Sequence, residues 1–116
     1  MVTRAGAASA EATDLVLRAL ADPNRRAILR LVKDDELPAG QIALNFSMTQ
    51  QAVSQHVTVL KQAGLLSVRR DGTRRLYSFR AEALDPVRDL LAEFWPDALA
   101  RLKRAVESSY RPTETR

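Results

Sequence analysis

Residues 49–75 form one stretch that combines a helix with a polar outer face and a short hairpin rich in arginine. A narrow apolar stripe recurs with helical spacing at Ala52, Val53, Val57 and Leu60. The opposite side carries neutral hydrogen-bonding side chains, namely Gln50, Gln51, Ser54, Gln55 and Thr58. These side chains suit the base edges of DNA, whereas an ordinary surface helix would carry Glu and Lys. The pattern predicts a recognition helix over about residues 50–63, capped by Thr49 and ended by Gly64.

The segment after Gly64 changes from helical to extended spacing. Strands over residues 66–70 and 74–79 flank a turn at residues 71–73, which predicts a β-hairpin. Four arginines flank the turn: Arg69, Arg70, Arg74 and Arg75. Like charges on paired strands repel, so this density favours an anionic partner, and phosphate is the obvious one. The alternative is a solvated hairpin whose charges protect an edge strand, but beside the polar helix we favour DNA contact.

A short amphipathic helix is predicted upstream, over residues 38–46. Its apolar positions are Ala39, Ile42, Ala43 and Phe46. Ser47 and Met48 then turn the chain into the recognition helix. Two helices joined by a tight turn predict a helix-turn-helix that presents its second helix to the major groove.

Three further helices complete the prediction. The first runs from Thr13 or Asp14 to about Ala21, and the second from Pro23 to Lys33 with Asp22 as its N-cap. The second helix is predicted to bury Ala27, Ile28, Leu31 and Val32. Near its start, Arg25 and Arg26 face the unfavourable end of the helix dipole, and the sequence leaves open whether they pair with a carboxylate or reach a phosphate.

The last helix, about residues 83–109, is predicted to kink or break at Pro96, with a new helix starting there. It carries more apolar surface than a small domain can cover, which favours pairing with a second copy. The predicted dimer interface consists of Leu17, Leu20, Leu91, Phe94, Trp95, Leu99 and Leu102. For Trp95, a place in the core or the dimer is favoured over the wall of a ligand pocket.

Composition limits the remaining possibilities. The chain has 116 residues, a net charge of +4, one histidine and no cysteine. We expect a single domain over residues 13–110, between flexible segments 1–12 and 111–116. No apolar run is long enough to span a bilayer and no signal peptide is evident, so a cytoplasmic location is expected. No catalytic constellation can be assembled from these residues, so the protein is predicted not to be an enzyme and to need no cofactor.

Three segments carry a resemblance to a known family: ALADPNRRAILRLV at 19–32, AVSQHVTVLKQAGLL at 52–66 and RRDGTRRLYSF at 69–79. They resemble the ArsR family of winged helix-turn-helix bacterial regulators, and the resemblance covers about residues 14–107. It implies a mainly α fold with a small β-hairpin, ordered as four helices, two strands and one or two helices, that dimerises through its terminal helices. It also implies a homodimeric repressor that binds an imperfect inverted repeat.

Many family members sense metals through cysteine pairs or through Asp and His ligands. Without cysteine no thiolate site can form, and metal binding by His56 is not expected, because no other ligands converge on it. A carboxylate-only site is conceivable at Asp85, Asp89, Glu93 and Asp97. A solvated acidic face or intersubunit salt bridges are much favoured there, so no metal site is predicted.

The resulting hypothesis is a DNA-binding transcriptional regulator. Its predicted DNA contacts are Thr49, Gln50, Gln51, Ser54, Gln55, His56, Thr58, Lys61, Arg69, Arg70, Arg74 and Arg75. His56 could instead have a structural role. The competing hypothesis is a winged-helix module whose basic wing binds an acidic protein partner. An unknown small-molecule effector is also possible.

Overall fold

The structure is a computed structural model that describes residues 4–109. Its elements in chain order are α1 (Arg4–Leu20), α2 (Pro23–Leu31), β1 (Leu37–Pro38), α3 (Ala39–Ala43), α4 (Gln50–Gln62), β2 (Leu66–Asp71), β3 (Arg74–Phe79), α5 (Asp85–Phe94) and α6 (Pro96–Ser109). A 3₁₀ turn at Ala81–Leu84 leads into α5. This is the predicted winged helix-turn-helix, mostly helical with a small antiparallel sheet.

The caps of α2 and α4 form as predicted. The Asp22 side chain accepts hydrogen bonds from the backbone N–H groups of Asn24 at 2.7 Å and Arg25 at 3.3 Å. The Thr49 hydroxyl accepts one from Ala52 at 3.0 Å. These bonds satisfy N–H groups that have no partner inside the helix, so they fix where each helix begins.

Gly64 ends α4 in the left-handed conformation, with φ +79°. The N–H of Gly64 donates to the carbonyl of Lys61 at 2.9 Å, and that of Leu65 donates to Leu60 at 3.0 Å. This pair of bonds is the Schellman motif, which favours glycine because a Cβ is strained at positive φ. The motif directs the chain from α4 into β2.

The wing is a hairpin of β2 and β3, joined at Gly72 and Thr73. Gly72 has φ +66° at the first turn position, where a two-residue hairpin turn of type II′ places glycine. The sequence did not predict β1, which pairs with β3 and gives the sheet order β1-β3-β2. Its Pro38 has no N–H to donate, which is compatible with its place on an edge strand.

Three predicted boundaries need correction. Helix α1 begins at Arg4, so neither Thr13 nor Asp14 starts it, and residues 4–12 of the predicted N-terminal segment belong to this helix. Helix α3 ends at Ala43, well before Phe46, because residues 44–46 form tight turns. Helix α2 ends at Leu31, two residues before Lys33. Residues 1–3 and the predicted tail at 111–116 lie outside the described residues.

The predicted break at Pro96 is confirmed. Helix α5 ends at Phe94, and α6 begins at Pro96. Proline has no N–H to donate to the carbonyl four residues earlier, and its ring crowds that turn.

The core lies between α1, α2, α3, α4 and the sheet. Its fully buried larger side chains are Val16, Ile28, Val32, Ile42, Val53, Leu60 and Leu65. Among the predicted core positions of α2, Ile28 and Val32 are buried, whereas Ala27 and Leu31 are only half-buried. Leu29 is buried although it was not predicted to be. This core holds α4 by one face and leaves the other face exposed.

Candidate nucleic-acid interface

The outer face of α4 carries five predicted contact residues, and all are exposed: Gln50, Gln51, Ser54, Gln55 and Thr58. Val53, Val57 and Leu60 on the opposite face are buried, which fixes the rotation of the helix. The Thr58 hydroxyl donates to the carbonyl of Ser54 at 3.0 Å, so it can only accept a further hydrogen bond. Lys61 is exposed near the end of the helix. The outer face therefore offers neutral donors and acceptors with one cation at its end.

His56 is one of the predicted contact residues that the structure places differently. It is half-buried, and its Nδ1 lies 3.3 Å from Nη1 of Arg25 on α2. This contact corresponds to the structural role that the sequence left open for His56. Because Nδ1 is used in this contact, only Nε2 of His56 remains for another partner.

Arg25 and Arg26 cap the end of α1. Nε and Nη2 of Arg25 donate to the carbonyls of Ala19 and Arg18 at 2.8 and 2.9 Å, and Nη1 of Arg26 donates to Leu20 at 2.7 Å. These carbonyls belong to the last turn of α1, where the helix dipole favours positive charge. The two arginines are thus unfavourable for the dipole of α2, but their guanidinium groups lie at the negative end of the dipole of α1, where positive charge is stabilising.

Asp22 lies beside this cluster, with Oδ2 3.9 Å from Nη1 of Arg25. Partial burial alone would raise the pKa of the Asp22 carboxyl. The backbone hydrogen bonds from Asn24 and Arg25, together with the nearby guanidinium, lower that pKa below its ordinary value.

One face of the wing has its arginines paired with carboxylates. Arg69 donates to both carboxylate oxygens of Glu36, with Nη2 2.7 Å from Oε1. Arg74 lies 3.5 Å from Asp71 across the turn. The bidentate hydrogen bonds lower the pKa of Glu36 and raise the pKa of Arg69. Arg69 was predicted to contact DNA, but the structure directs it toward Glu36, just before β1.

The other face of the wing carries Arg70 and Arg75, which are directly opposite each other in the register of β2 and β3. Within residues 4–109, no ion pair involves either side chain. Directly opposed like charges destabilise a strand pair unless an anion lies between or near them. This pair is therefore a candidate anion-binding feature of the wing.

Most of the predicted dimer-interface residues are exposed in the single chain: Leu17, Leu91, Phe94, Trp95 and Leu102. Leu20 is the exception, because it is half-buried and packs against the core. The side chain of Leu99 lies outside the described part of the structure. Trp95 is half exposed, so it is not a core residue of the single chain.

Two acidic residues of α5 make salt bridges with Arg88. Arg88 lies 3.5 Å from Asp85 and 3.6 Å from Asp89. Over the described residues, no group of three or more His, Cys, Asp or Glu side chains is arranged to hold a metal ion. In the same part of the chain, no helix has the length and apolar character needed to cross a membrane.

A winged helix-turn-helix with an exposed hydrogen-bonding face on its second helix defines a class of DNA-binding transcriptional regulators. A family model described as a helix-turn-helix domain matches residues 20–69. An HTH-type transcriptional regulator of Mycobacterium tuberculosis is 38% identical over 82% of this chain and 89% of its own. The transcriptional repressor SdpR of Bacillus subtilis is 39% identical over 60% of this chain and 77% of its own.

The fold also matches a solution structure from Mycobacterium bovis, with a TM-score of 0.64 and 28% identity over 85% of this chain and 92% of that one. That protein is described as the homodimeric winged helix-turn-helix DNA-binding domain of a possible ArsR-family transcriptional regulator. The present chain belongs to the ArsR family. Its relatives are transcriptional regulators and not enzymes, as the sequence predicted.

Proposed function

We propose that the protein is a homodimeric transcriptional repressor that recognises an imperfect inverted repeat. In this proposal α4 reads bases in the major groove, and the wing binds the DNA backbone or a narrow minor groove. The observation that carries the proposal is the neutral, exposed outer face of α4, together with Arg70 and Arg75 of the wing, which make no ion pair within residues 4–109. Repression follows if the bound dimer occludes a promoter.

Two findings support the homodimer and the repressor. Large apolar side chains on α1, α5 and α6 are exposed, and a two-fold axis would bury the same surface of each copy. The Mycobacterium bovis neighbour is described as homodimeric, and the Bacillus subtilis relative as a repressor. Two symmetric recognition helices require two symmetric half-sites, which is the reason for proposing an inverted repeat.

Selection of DNA fragments from a random pool by the purified protein tests the function directly. We expect a pair of related half-sites in opposite orientation, about one helical turn apart. The competing hypothesis of a protein-interaction module predicts that no sequence is enriched when excess nonspecific DNA is present. An effector-binding role stays a prediction and needs its own ligand screen.

Base readout is tested by Gln55→Ala on the selected site. Removal of a good base contact should cost about 1–3 kcal/mol on that site and leave nonspecific binding nearly intact. Gln41→Ala on α3 is the matched control, because Gln41 is also an exposed glutamine but lies outside α4. Equal reductions of specific and nonspecific affinity in Gln55→Ala would contradict its assignment to base readout.

Backbone binding by the wing is tested by removing Arg70 and Arg75 together. Each phosphate that a cation neutralises adds about 0.9 to the slope of log affinity against log salt, so removing two arginines from each subunit of a dimer should lower the slope by about 3.6. The double variant Arg69→Ala, Arg74→Ala removes the same charge from the carboxylate-paired face and should change the slope less. Equal slope changes in the two double variants would show that pairing within the wing does not decide which arginines bind DNA.

A further inference from the structure

Arg25 contacts both α1 and α4 from its position on α2. Its Nε and Nη2 donate to carbonyls in the last turn of α1, and its Nη1 lies 3.3 Å from Nδ1 of His56 on α4. Its side chain is only 17% exposed, so these bonds form in a partly desolvated place. One planar guanidinium thus joins the end of α1 to the middle of the helix that faces DNA.

The contact also determines which ring nitrogen of a neutral His56 accepts a hydrogen bond. A guanidinium has only donors, so Nδ1 must accept, and the single proton of a neutral imidazole then lies on Nε2. His56 is adjacent to Gln55, one of the predicted base-contacting residues. A change in the position of His56 relative to α1 would therefore move Gln55 with it.

We propose that Arg25 is a positioning residue for base recognition: it holds α4 at a set position relative to α1 through the hydrogen bond to His56. This inference rests on the proposed DNA-reading role of α4. The apolar contacts of Val53, Val57 and Leu60 are not directional, so they permit small shifts of α4 that a hydrogen bond resists. Bidentate contacts to base edges tolerate little displacement, which is why a small shift lowers discrimination.

The same geometry connects the recognition helix with the exposed surface of α1. Leu15 and Leu17 on α1 are among its exposed large apolar residues. A molecule that packs against this surface would contact the same helix whose last turn accepts hydrogen bonds from Arg25. Arg25 is thus placed to transmit a displacement of α1 to α4.

The first test compares Arg25→Ala with Arg26→Ala in the full chain. Both variants remove one cation and its hydrogen bonds to the last turn of α1, two in Arg25→Ala and one in Arg26→Ala. Only Arg25 contacts α4 among the described hydrogen bonds. The measured quantity is the ratio of affinities for the selected site and for nonspecific DNA. We expect about a tenfold fall in this ratio for Arg25→Ala and no change for Arg26→Ala.

The second test separates positioning from a phosphate contact by His56. In His56→Asn the side-chain oxygen can replace Nδ1 as the acceptor for Arg25, whereas His56→Gln places its amide nearer to Nε2. We expect His56→Asn to keep the affinity ratio and His56→Gln to lower it as Arg25→Ala does. The opposite order would show that Nε2 acts on DNA and would overturn the proposal.

The outcomes distinguish the two levels of inference. If the wild-type protein selects no DNA sequence, the proposed function fails and the positioning role fails with it. If the wild-type protein selects a site and Arg25→Ala retains the ratio measured for Arg26→Ala, only the positioning role fails. If Arg25→Ala does not fold, the two His56 variants decide the question.

Discussion

The central region of the molecule, from α2 to β3, buries most of its large apolar side chains, whereas the last two helices leave most of theirs exposed. The central region encloses Ile28, Ile42 and Leu60 completely. Helix α5 has no buried residue, and Phe94 at its end is 76% exposed. The Cα radius of gyration is 17.9 Å, well above the about 13 Å of a compact domain of 100 residues. A single chain therefore closes the apolar core of the central region, whereas a further surface is needed to cover the apolar side chains of α5 and α6.

The difference indicates which part of the fold depends on association. Isolated helices of the length of α6 are marginal in water, and most helical stability in proteins comes from packing of the apolar face. Leu102 and Val106 on α6 remain exposed in the single chain. We therefore expect folding of the centre to be independent of protein concentration and ordering of α6 to depend on it.

The largest expected effect is that of Leu60→Ala in the centre. Leu60 is fully buried beneath α4, so the reduced apolar burial and the cavity should lower the free energy of unfolding by about 2–5 kcal/mol. Denaturant unfolding of both proteins measures the difference. Leu102→Ala is the matched control, because the same atoms are removed from an exposed position on α6.

We expect the destabilisation by Leu60→Ala to be the same at all protein concentrations. The destabilisation by Leu102→Ala should grow as the protein concentration rises and the dimer becomes populated. A concentration-independent destabilisation of several kcal/mol by Leu102→Ala would break the comparison. It would mean that α6 belongs to the core of the single chain.

The next effect concerns association itself. Phe94→Asp places a charge in the predicted dimer interface while leaving the core untouched, so the variant should remain folded but dissociate. Removal of a central aromatic side chain costs about 2 kcal/mol or more, and a two-fold dimer loses one from each copy, so the Kd of the dimer should rise by about a thousandfold. Molar mass measured by light scattering over a dilution series gives this constant.

Leu44→Asp is the control for that experiment. Leu44 is 82% exposed at the end of α3, far along the chain from the terminal helices, and the variant should dimerise as the wild type does. A Phe94→Asp protein with unchanged mass at every dilution would assign the dimer to a different surface. Leu99, an interface residue predicted from sequence, can be tested in the same way.

The sequence predicted the elements whose signals are local. Thr49, Gly64 and Gly72 mark the ends of α4 and the wing turn through contacts or backbone angles within a few residues. The apolar spacing of α4 predicted its buried and exposed faces for the same reason. Pro96 likewise predicted the boundary between α5 and α6 from its own chemistry.

The features that the sequence did not predict depend on residues far apart in the chain. Strand β1 has only two residues and pairs with β3, so it is too short to show the alternation of apolar and polar residues that predicts a strand. Arg25 reaches His56, which is 31 positions away, and Arg69 reaches Glu36, which is 33 positions away. Side-chain partners at such separations follow from the packed fold, and their residue types alone allowed several alternatives.

The smallest expected effect tests whether the Glu36–Arg69 pair of the wing contributes to the stability of the central region. Arg69 holds Glu36 through both carboxylate oxygens, so the pKa of Glu36 is lower in the folded protein than in the unfolded chain. A lowered carboxyl pKa adds stability at pH values above the unfolded pKa, and that contribution disappears as pH falls through the folded pKa. Glu36→Gln removes it.

The variant should therefore be slightly less stable than the wild type near neutral pH, and the two stability curves should converge in acid. Both groups are exposed, so solvent and salt screen the pair, and the difference should shrink further at high salt. Thermal unfolding of the two proteins over a pH series measures it. Parallel curves down to acidic pH would mean that ionisation of Glu36 contributes nothing to stability, and that Tyr77 and its apolar neighbours hold the wing to the rest of the central region.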